Sequence, residues 1–491
     1  MVWTTWPRQP IIYEFNTWVW LYELSQKHNR LITLGSVPEQ EWDTIASLGV
    51  DAVWLMGVWE RSPAGIRISL EHPGLQAEYQ KALPDVSLED VVGSPYCIRR
   101  YGVDEHLGGP EGLATARGML AERGIRLILD FVPNHVAPDH PWVYDHPEYF
   151  IQGNMEELRR APAEYFEANG NIIACGRDPT FPPWTDTAQL NAFHHGLRQA
   201  MIETVGDIAN QCDGMRCDMA MLLLNSIFER TWGSRAGTHP ASEYWTDVLH
   251  AVRMRHPRVL FMAEAYWDLE WDLQQQGFDY CYDKRLYDRL VHEGAESVRL
   301  HLLADRAYQE KLVRFIENHD EPRAAATLPS PKSRAGAVTI LTLPGAKLLN
   351  EGQFEGRRVK LPVQLGRRPA EPVDRNLQAF YHQLLKTVGT AGFHEAEWKL
   401  CERSGWPDNP SYLNLVAWCW RREEEKHLIV VNLSDRRSQG RVRLSWEGLV
   451  GRSWRMIDIL TGELYERDGH EMLDPGLYVD LEAWRFHFLK F

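Results

Sequence analysis

Four strand-like apolar runs of this 491-residue chain end in a carboxylate. The first closes as Leu129-Asp130-Phe131-Val132-Pro133-Asn134-His135 and the second as Arg216-Cys217-Asp218. The third closes as Ala263-Glu264 and the fourth as Asn318-His319-Asp320. A single aspartate after a strand is explained as the N-cap of the following helix. Four acids at corresponding positions are harder to explain as caps. Carboxylates gathered at one mouth push each other's proton affinities apart, so one stays ionised while another holds a proton. Glycoside cleavage needs that division between a group that attacks the anomeric carbon and a group that protonates the leaving oxygen. Arg216 stands two residues before Asp218, and side chains at i and i+2 of a strand share a face. Its guanidinium is therefore placed to hold Asp218 ionised and oriented. A salt bridge at a barrel mouth is the plainer reading of Arg216, and it would do the same work.

The elements that must position these groups alternate. Strands are expected at Ile11–Phe15, Ala52–Met56, Ile125–Phe131, Gly214–Asp218, Val259–Ala263, Asp279–Tyr282, Leu312–Ile316 and Val338–Leu343. Segments of helical period lie between them, at Glu39–Leu48, Glu111–Arg123, Phe193–Cys212 and Trp245–Arg255. Strands alternating with helices indicate a parallel sheet covered on both faces. Eight such units predict a closed (β/α)₈ barrel, whose chemistry sits at the C-terminal ends of its strands. An open doubly wound sheet is the alternative, but no GxGxxG follows the first strand. Residues 136–191, rich in Pro, Asp, Asn and aromatics, form an excursion after strand three. Beyond residue 390 the pattern changes to short alternating runs, the mark of an antiparallel β-sandwich. The expected organisation is a barrel over 1–135 and 192–390, an inserted domain over 136–191 and a C-terminal β domain over 391–491.

With those motifs in that order, the sequence resembles the α-amylase family, glycoside hydrolase family thirteen. Asp130 to His135 looks like the family's first conserved region, and Gly214 to Asp218 like its second. Phe261 to Ala265 looks like the third, and Asn318-His319-Asp320 like the fourth. The resemblance implies that Asp218 is the nucleophile, Glu264 the general acid/base and Asp320 the transition-state stabiliser. It implies substrate contacts from Tyr96, Asp130, His135, Arg216 and His319. A lone histidine is more often structural, and only the motif context makes His135 and His319 hydroxyl binders. The chain departs from the pattern at three places. Arg100 stands where an acid is common, and Gln189 replaces the central Asp of the fifth region. Met219-Ala220-Met221-Leu222 replaces an acceptor-side Lys-His pair that also helps hold calcium. No calcium, other metal or organic cofactor is expected, since calcium takes six to eight oxygens and Asn134 alone supplies too few.

Asp plus Glu outnumber Lys plus Arg by 68 to 53, a net charge of −15, which argues against nucleic acid as the main partner. The 20 tryptophans suit sugar faces or a core equally well, and most are read as core. Seven cysteines cannot all pair and show no CxxC, so a zinc site is not expected. No apolar run is long enough to span a membrane. The start MVWTTWPRQP shows no signal-peptide pattern, so a cytoplasmic location is expected.

These readings converge on a retaining hydrolase of α-glucans or α-glucosides with a carbohydrate as its partner. The first alternative is a transglycosylase or maltosyltransferase with the same three acids. Pro138 to Trp142 with His146 to Phe150 resembles a segment of the maltosyltransferases that use maltose 1-phosphate. The alternative of another class is an inactive barrel kept as a binding subunit, and loss of one of the three acids would mark it.

Overall fold

Runs rich in branched and aromatic residues become strands because those side chains fit a pleated surface covered on both faces. A computed structural model describes residues 5–444, 446 and 448–491. Eight such runs form parallel strands: β1 (Ile11–Asn16), β2 (Ala52–Met56), β3 (Arg126–Phe131), β4 (Gly214–Cys217), β5 (Leu260–Ala263), β6 (Tyr280–Tyr282), β7 (Leu312–Arg314) and β8 (Ala346–Asn350). They close into a barrel in the order β1-β8-β7-β6-β5-β4-β3-β2. Every residue of β2, β3, β4 and β5 is buried.

Register fixes the chemistry at one end. Arg216 on β4 pairs with Asp130 on β3 and with Met262 on β5, and Cys217 pairs with Ala263. Asp218 and Glu264 therefore each stand one residue past the end of adjacent strands. Their amides continue the ladder, Asp218 N–H donating to the Phe131 carbonyl and Glu264 N–H to the Cys217 carbonyl. Both backbones are thus held before any side chain is considered.

The expected eighth strand is in the wrong place. Val338–Leu343 falls on the helix Ser330–Thr342 and its C-terminal cap, and β8 is Ala346–Asn350. That helix is buried over Ala335–Thr342, so it lacks the polar face that gives a helix its period. A short apolar run of this kind cannot be told from a strand by pattern.

After β3, His135–Val136 pairs antiparallel with Ala188–Gln189, and Tyr165–Ala168 forms a hairpin with Asn171–Ala174. The C-terminal region forms two antiparallel sheets of six and three strands. Leu428 and Val430 of the first and Val442 and Val479 of the second share one core. The run of charges at Arg421–Lys426 straddles a hairpin: Glu423 and Glu424 make the turn that joins Leu415–Arg422 to Glu425–Asn432, and the other four residues pair across the strands. Trp418 and Trp420 of this region both donate their indole N–H to the carbonyl of Thr342, at 3.0 and 2.7 Å. Thr342 ends a helix, where carbonyls lack intrahelical partners.

Contacts group the chain into two compact units. One runs up to Trp6 and takes in Ile12–Tyr282 and Val359–Ala370; the other holds Pro7–Ile11, Asp283–Arg358 and Glu371–Phe491. Trp42, Trp54, Trp59, Trp245, Trp418 and Trp420 are among the largest fully buried side chains, so much of the tryptophan content is core. The seven cysteines are all buried, and none is in a disulfide. Among the described residues no helix is long and apolar enough to cross a membrane.

Candidate active site

Arg216 is fully buried and organises the first unit's carboxylates. Its Nη1 lies 2.5 Å from Asp218 Oδ1 and 3.8 Å from Asp130 Oδ1, and its Nη2 lies 2.8 Å from Glu264 Oε2. One cation thus faces acids from three consecutive strands. Three rings surround it, with centroids at 5.1 Å for Tyr96, 5.3 Å for Trp54 and 5.8 Å for Tyr282. Burial alone would weaken its charge. Glu264, then the phenols of Tyr96 and Tyr282, then Asp218 reverse the sign and hold the guanidinium protonated well above its ordinary range. Removing ions from water costs several kcal/mol each, so this cluster needs its mutual pairing.

Glu264 receives two further donors. The backbone N–H of Met219 donates to Oε2 at 2.6 Å, and the hydroxyl of Tyr266 donates to Oε1 at 2.8 Å. Met219 adopts a left-handed conformation with φ 42°. Asp130 accepts from the Gly57 N–H at 3.2 Å, and its carbonyl accepts from the Trp59 indole at 2.8 Å. Gly57 is itself left-handed at φ 78°, which suits a residue without Cβ at this turn after β2.

His135 is buried beside Trp184, with ring centroids 5.2 Å apart. Burial pushes its proton affinity down to about 4, against a hydrogen bond to the Tyr96 backbone, so the ring is neutral. Next to it, the Gln189 side-chain nitrogen donates to Asn134 O at 2.9 Å, Asn134 Oδ1 at 3.0 Å and Leu190 O at 2.9 Å. Both oxygens of Asn134 and the carbonyl of Leu190 thus already accept from one amide N–H₂. This donor set does not fit calcium, and among the described residues no group of three or more His, Cys, Asp or Glu could hold a metal.

His319 and Asp320 lie in the second unit, on the loop after β7. His319 Nε2 is 2.9 Å from Asp320 Oδ2. Asn318 Oδ1 accepts from the N–H groups of Asp320 and Glu321, at 2.9 and 2.8 Å, and so fixes the turn that carries the acid.

Sequence reasoning missed Tyr266, Met219, Trp54 and Tyr282. Tyr266 had a signal, because it stands two residues after Glu264 in an extended segment and so shares its side. Met219 had none, since it acts through its backbone. The packing of Trp54 and Tyr282 against Arg216 depends on barrel closure, which no local pattern carries.

The family model described as Alpha amylase, catalytic domain, matches residues 39–361. The chain belongs to the α-amylase family. Among its relatives, the α-amylase MalA of Haloarcula japonica is 25% identical over 392 residues, covering 77% of this chain and 48% of that protein. The α-1,4-glucan:maltose-1-phosphate maltosyltransferase of Picrophilus torridus is 22% identical over 200 residues, 39% of this chain and 26% of that protein. The chain spans about half the length, 48% and 56%, of the first two curated relatives it matches. Its fold is similar to that of a noncanonic maltogenic α-amylase from Thermotoga neapolitana, with a TM-score of 0.69, 18% identity and 99% of both chains covered.

Proposed function

We propose that this protein is a retaining α-glucan or α-glucoside hydrolase. The observation that carries the proposal is the single guanidinium of Arg216 bridging Asp218 and Glu264 at the ends of adjacent strands. Asp218, oriented by Arg216, attacks the anomeric carbon and forms a covalent glycosyl ester. Once substrate displaces its contact with Arg216 and it takes up a proton, Glu264 passes that proton to the leaving oxygen and then takes one from water, so its two roles use the same carboxyl in sequence. Asp320 is assigned the tightening contact to sugar hydroxyls in the transition state, with His135, His319, Tyr96 and Asp130 as substrate contacts. The reading keeps a barrel over 1–135 and 192–390, an excursion over 136–191, a β domain over 391–491, and a cytoplasmic setting.

Transfer to a sugar acceptor in place of water is the second reading. It is favoured by the maltosyltransferases among the relatives and by the absence of an acceptor-side Lys-His pair after Asp218.

Two inversions at one carbon restore its configuration. Proton NMR of the first product from a panel of α-glucans should therefore show the α anomer. Initial accumulation of the β anomer would overturn the mechanism. New, longer oligosaccharides would select transfer over hydrolysis. Asp218→Asn should lower turnover about a thousandfold or more while leaving the melting curve cooperative.

A further inference from the structure

A cavity of about 370 Å³ lies at the end of the barrel away from the carboxylates. Its walls come from the entry ends of three consecutive strands. Arg126 is the first residue of β3, Asp213 directly precedes β4, and Val259 directly precedes β5. The far ends of these same strands carry Asp130, Asp218 and Glu264. At about 3.3 Å per residue, Arg126 and Asp130 stand roughly 13 Å apart along β3, so the cavity is separate from the catalytic mouth. Thr5 and Trp6 close one side. The Trp6 indole N–H donates to the Arg258 carbonyl at 3.2 Å. Arg126 packs its guanidinium 5.0 Å from the indole centroid and donates to the Thr5 carbonyl at 2.5 Å.

The charge of this lining runs against that of the chain. Arg117, Arg126, Arg255, Arg258 and His256 meet one lining acid, Asp213, in a protein of net charge −15. That acid is already engaged, one oxygen accepting from Arg117 at 2.7 Å and the other from the Leu127 N–H at 2.9 Å. Arg255 pairs with Glu203 at 3.2 Å in solvent, and exposed pairs of this kind are worth little. Arg126 is buried. Burial lowers its proton affinity, and Asp51 and Asp213 offset only part of that. An anion beside it would supply the rest.

We infer that this cavity binds a small organic phosphate. Several arginines around one space favour a multiply charged anion over a single carboxylate, and the planar guanidinium fork matches phosphate oxygens bidentately. The volume exceeds what phosphate alone would fill, since sites for small organic molecules begin near roughly 300 Å³. Trp6, Ala209, Pro257 and Val259 supply an apolar wall for the rest of the molecule. A sugar phosphate and a nucleotide share this chemistry. Once bound, the anion ties together the starts of the three strands that hold the catalytic acids.

Calorimetric titration of the full chain with glucose 6-phosphate, AMP and inorganic phosphate tests the site. At least one ester should bind at a single site and raise the melting temperature, and the tighter of the two names the source. Arg258→Ala, at the exposed rim, should weaken that ester about tenfold, and Arg126→Gln should weaken it further. Where Arg126→Gln fails to fold, the rim variant decides. Arg436→Ala, which removes an exposed arginine of the C-terminal region, should leave the affinity unchanged. Excess maltose, which on the proposed function occupies the catalytic mouth, should leave it unchanged as well. Four results would each overturn the site: no binding of either ester at millimolar concentration, inorganic phosphate bound as tightly as the better ester, equal weakening in Arg258→Ala and Arg436→Ala, or displacement of the ester by maltose.

Discussion

Met219 donates its backbone N–H to Glu264 Oε2 across 2.6 Å, from a left-handed conformation at φ 42°. The residue that follows Asp218 thus reaches the carboxylate of the next strand through its main chain. Two acids that arise from different strands are coupled by one peptide, in addition to the guanidinium they share. The coupling depends on a backbone conformation and not on the thioether.

The consequence is a substitution pattern ordered by backbone freedom. Met219→Gly should keep near-normal rates, because glycine occupies the left-handed region without strain. Met219→Val should lower kcat roughly 10–100-fold, since a β-branched residue resists that region and displaces the donor. Steady-state rates with melting curves as a control decide it; equal rates for the two variants would show that the Met219 amide is not needed.

Arg216 holds the cluster together electrostatically. Arg216→Met should destabilise the fold by about 3–5 kcal/mol, the usual cost of stripping the partner from buried charges. Urea unfolding measures it. A loss below about 1 kcal/mol would mean that water or protonation replaces the guanidinium with ease.

His135 makes stability depend on pH. Its proton affinity is about 4 in the folded chain, against an ordinary value of 6.5. Between those values the unfolded chain takes up a proton that the folded chain refuses. Stability is therefore full above about pH 6.5 and declines as pH falls toward 4, by up to roughly 3 kcal/mol for this residue. His140 and His427, also held at about 4 chiefly by burial, add to the same slope. His135→Asn should flatten the dependence of unfolding free energy on pH over this window; an unchanged slope would contradict the assignment.

Gln189 predicts indifference to chelators. Its amide nitrogen satisfies three carbonyl oxygens, and a tightly bound ion would raise the melting temperature by mass action. EDTA should change neither melting temperature nor activity. Gln189→Glu aims a carboxylate at those same oxygens and should cost about 1–3 kcal/mol. A drop after EDTA that calcium restores would disprove this account.

Most of the barrel was legible because its strands are short, apolar and punctuated by acids at one end. The eighth was not, because the helix Ser330–Thr342 is buried on nearly all sides and imitates a strand. The C-terminal strands Leu464–Asp468 and Leu477–Leu481 also went unread. The first carries polar residues at most positions, so alternation is weak there. Residue types and spacing pointed to Asp130, Asp218, Glu264 and Arg216, which the fold brings together. They did not give Met219, whose contribution is a peptide N–H, nor the rings of Trp54 and Tyr282, which reach Arg216 only once the sheet has closed.

The two indoles on the Thr342 carbonyl bear on how such a chain could be recombined. Trp418 and Trp420 belong to the C-terminal β region, while Thr342 ends the helix that precedes the last barrel strand. Those segments fall within one compact unit. A foreign β domain spliced after residue 390 would bring the right fold and still leave that carbonyl without its donors. An exchanged C-terminal region that lacks this tryptophan pair would therefore carry a penalty of about 1–3 kcal/mol for the unpaired carbonyl, and a seam placed before Ser330 would move helix and indoles together.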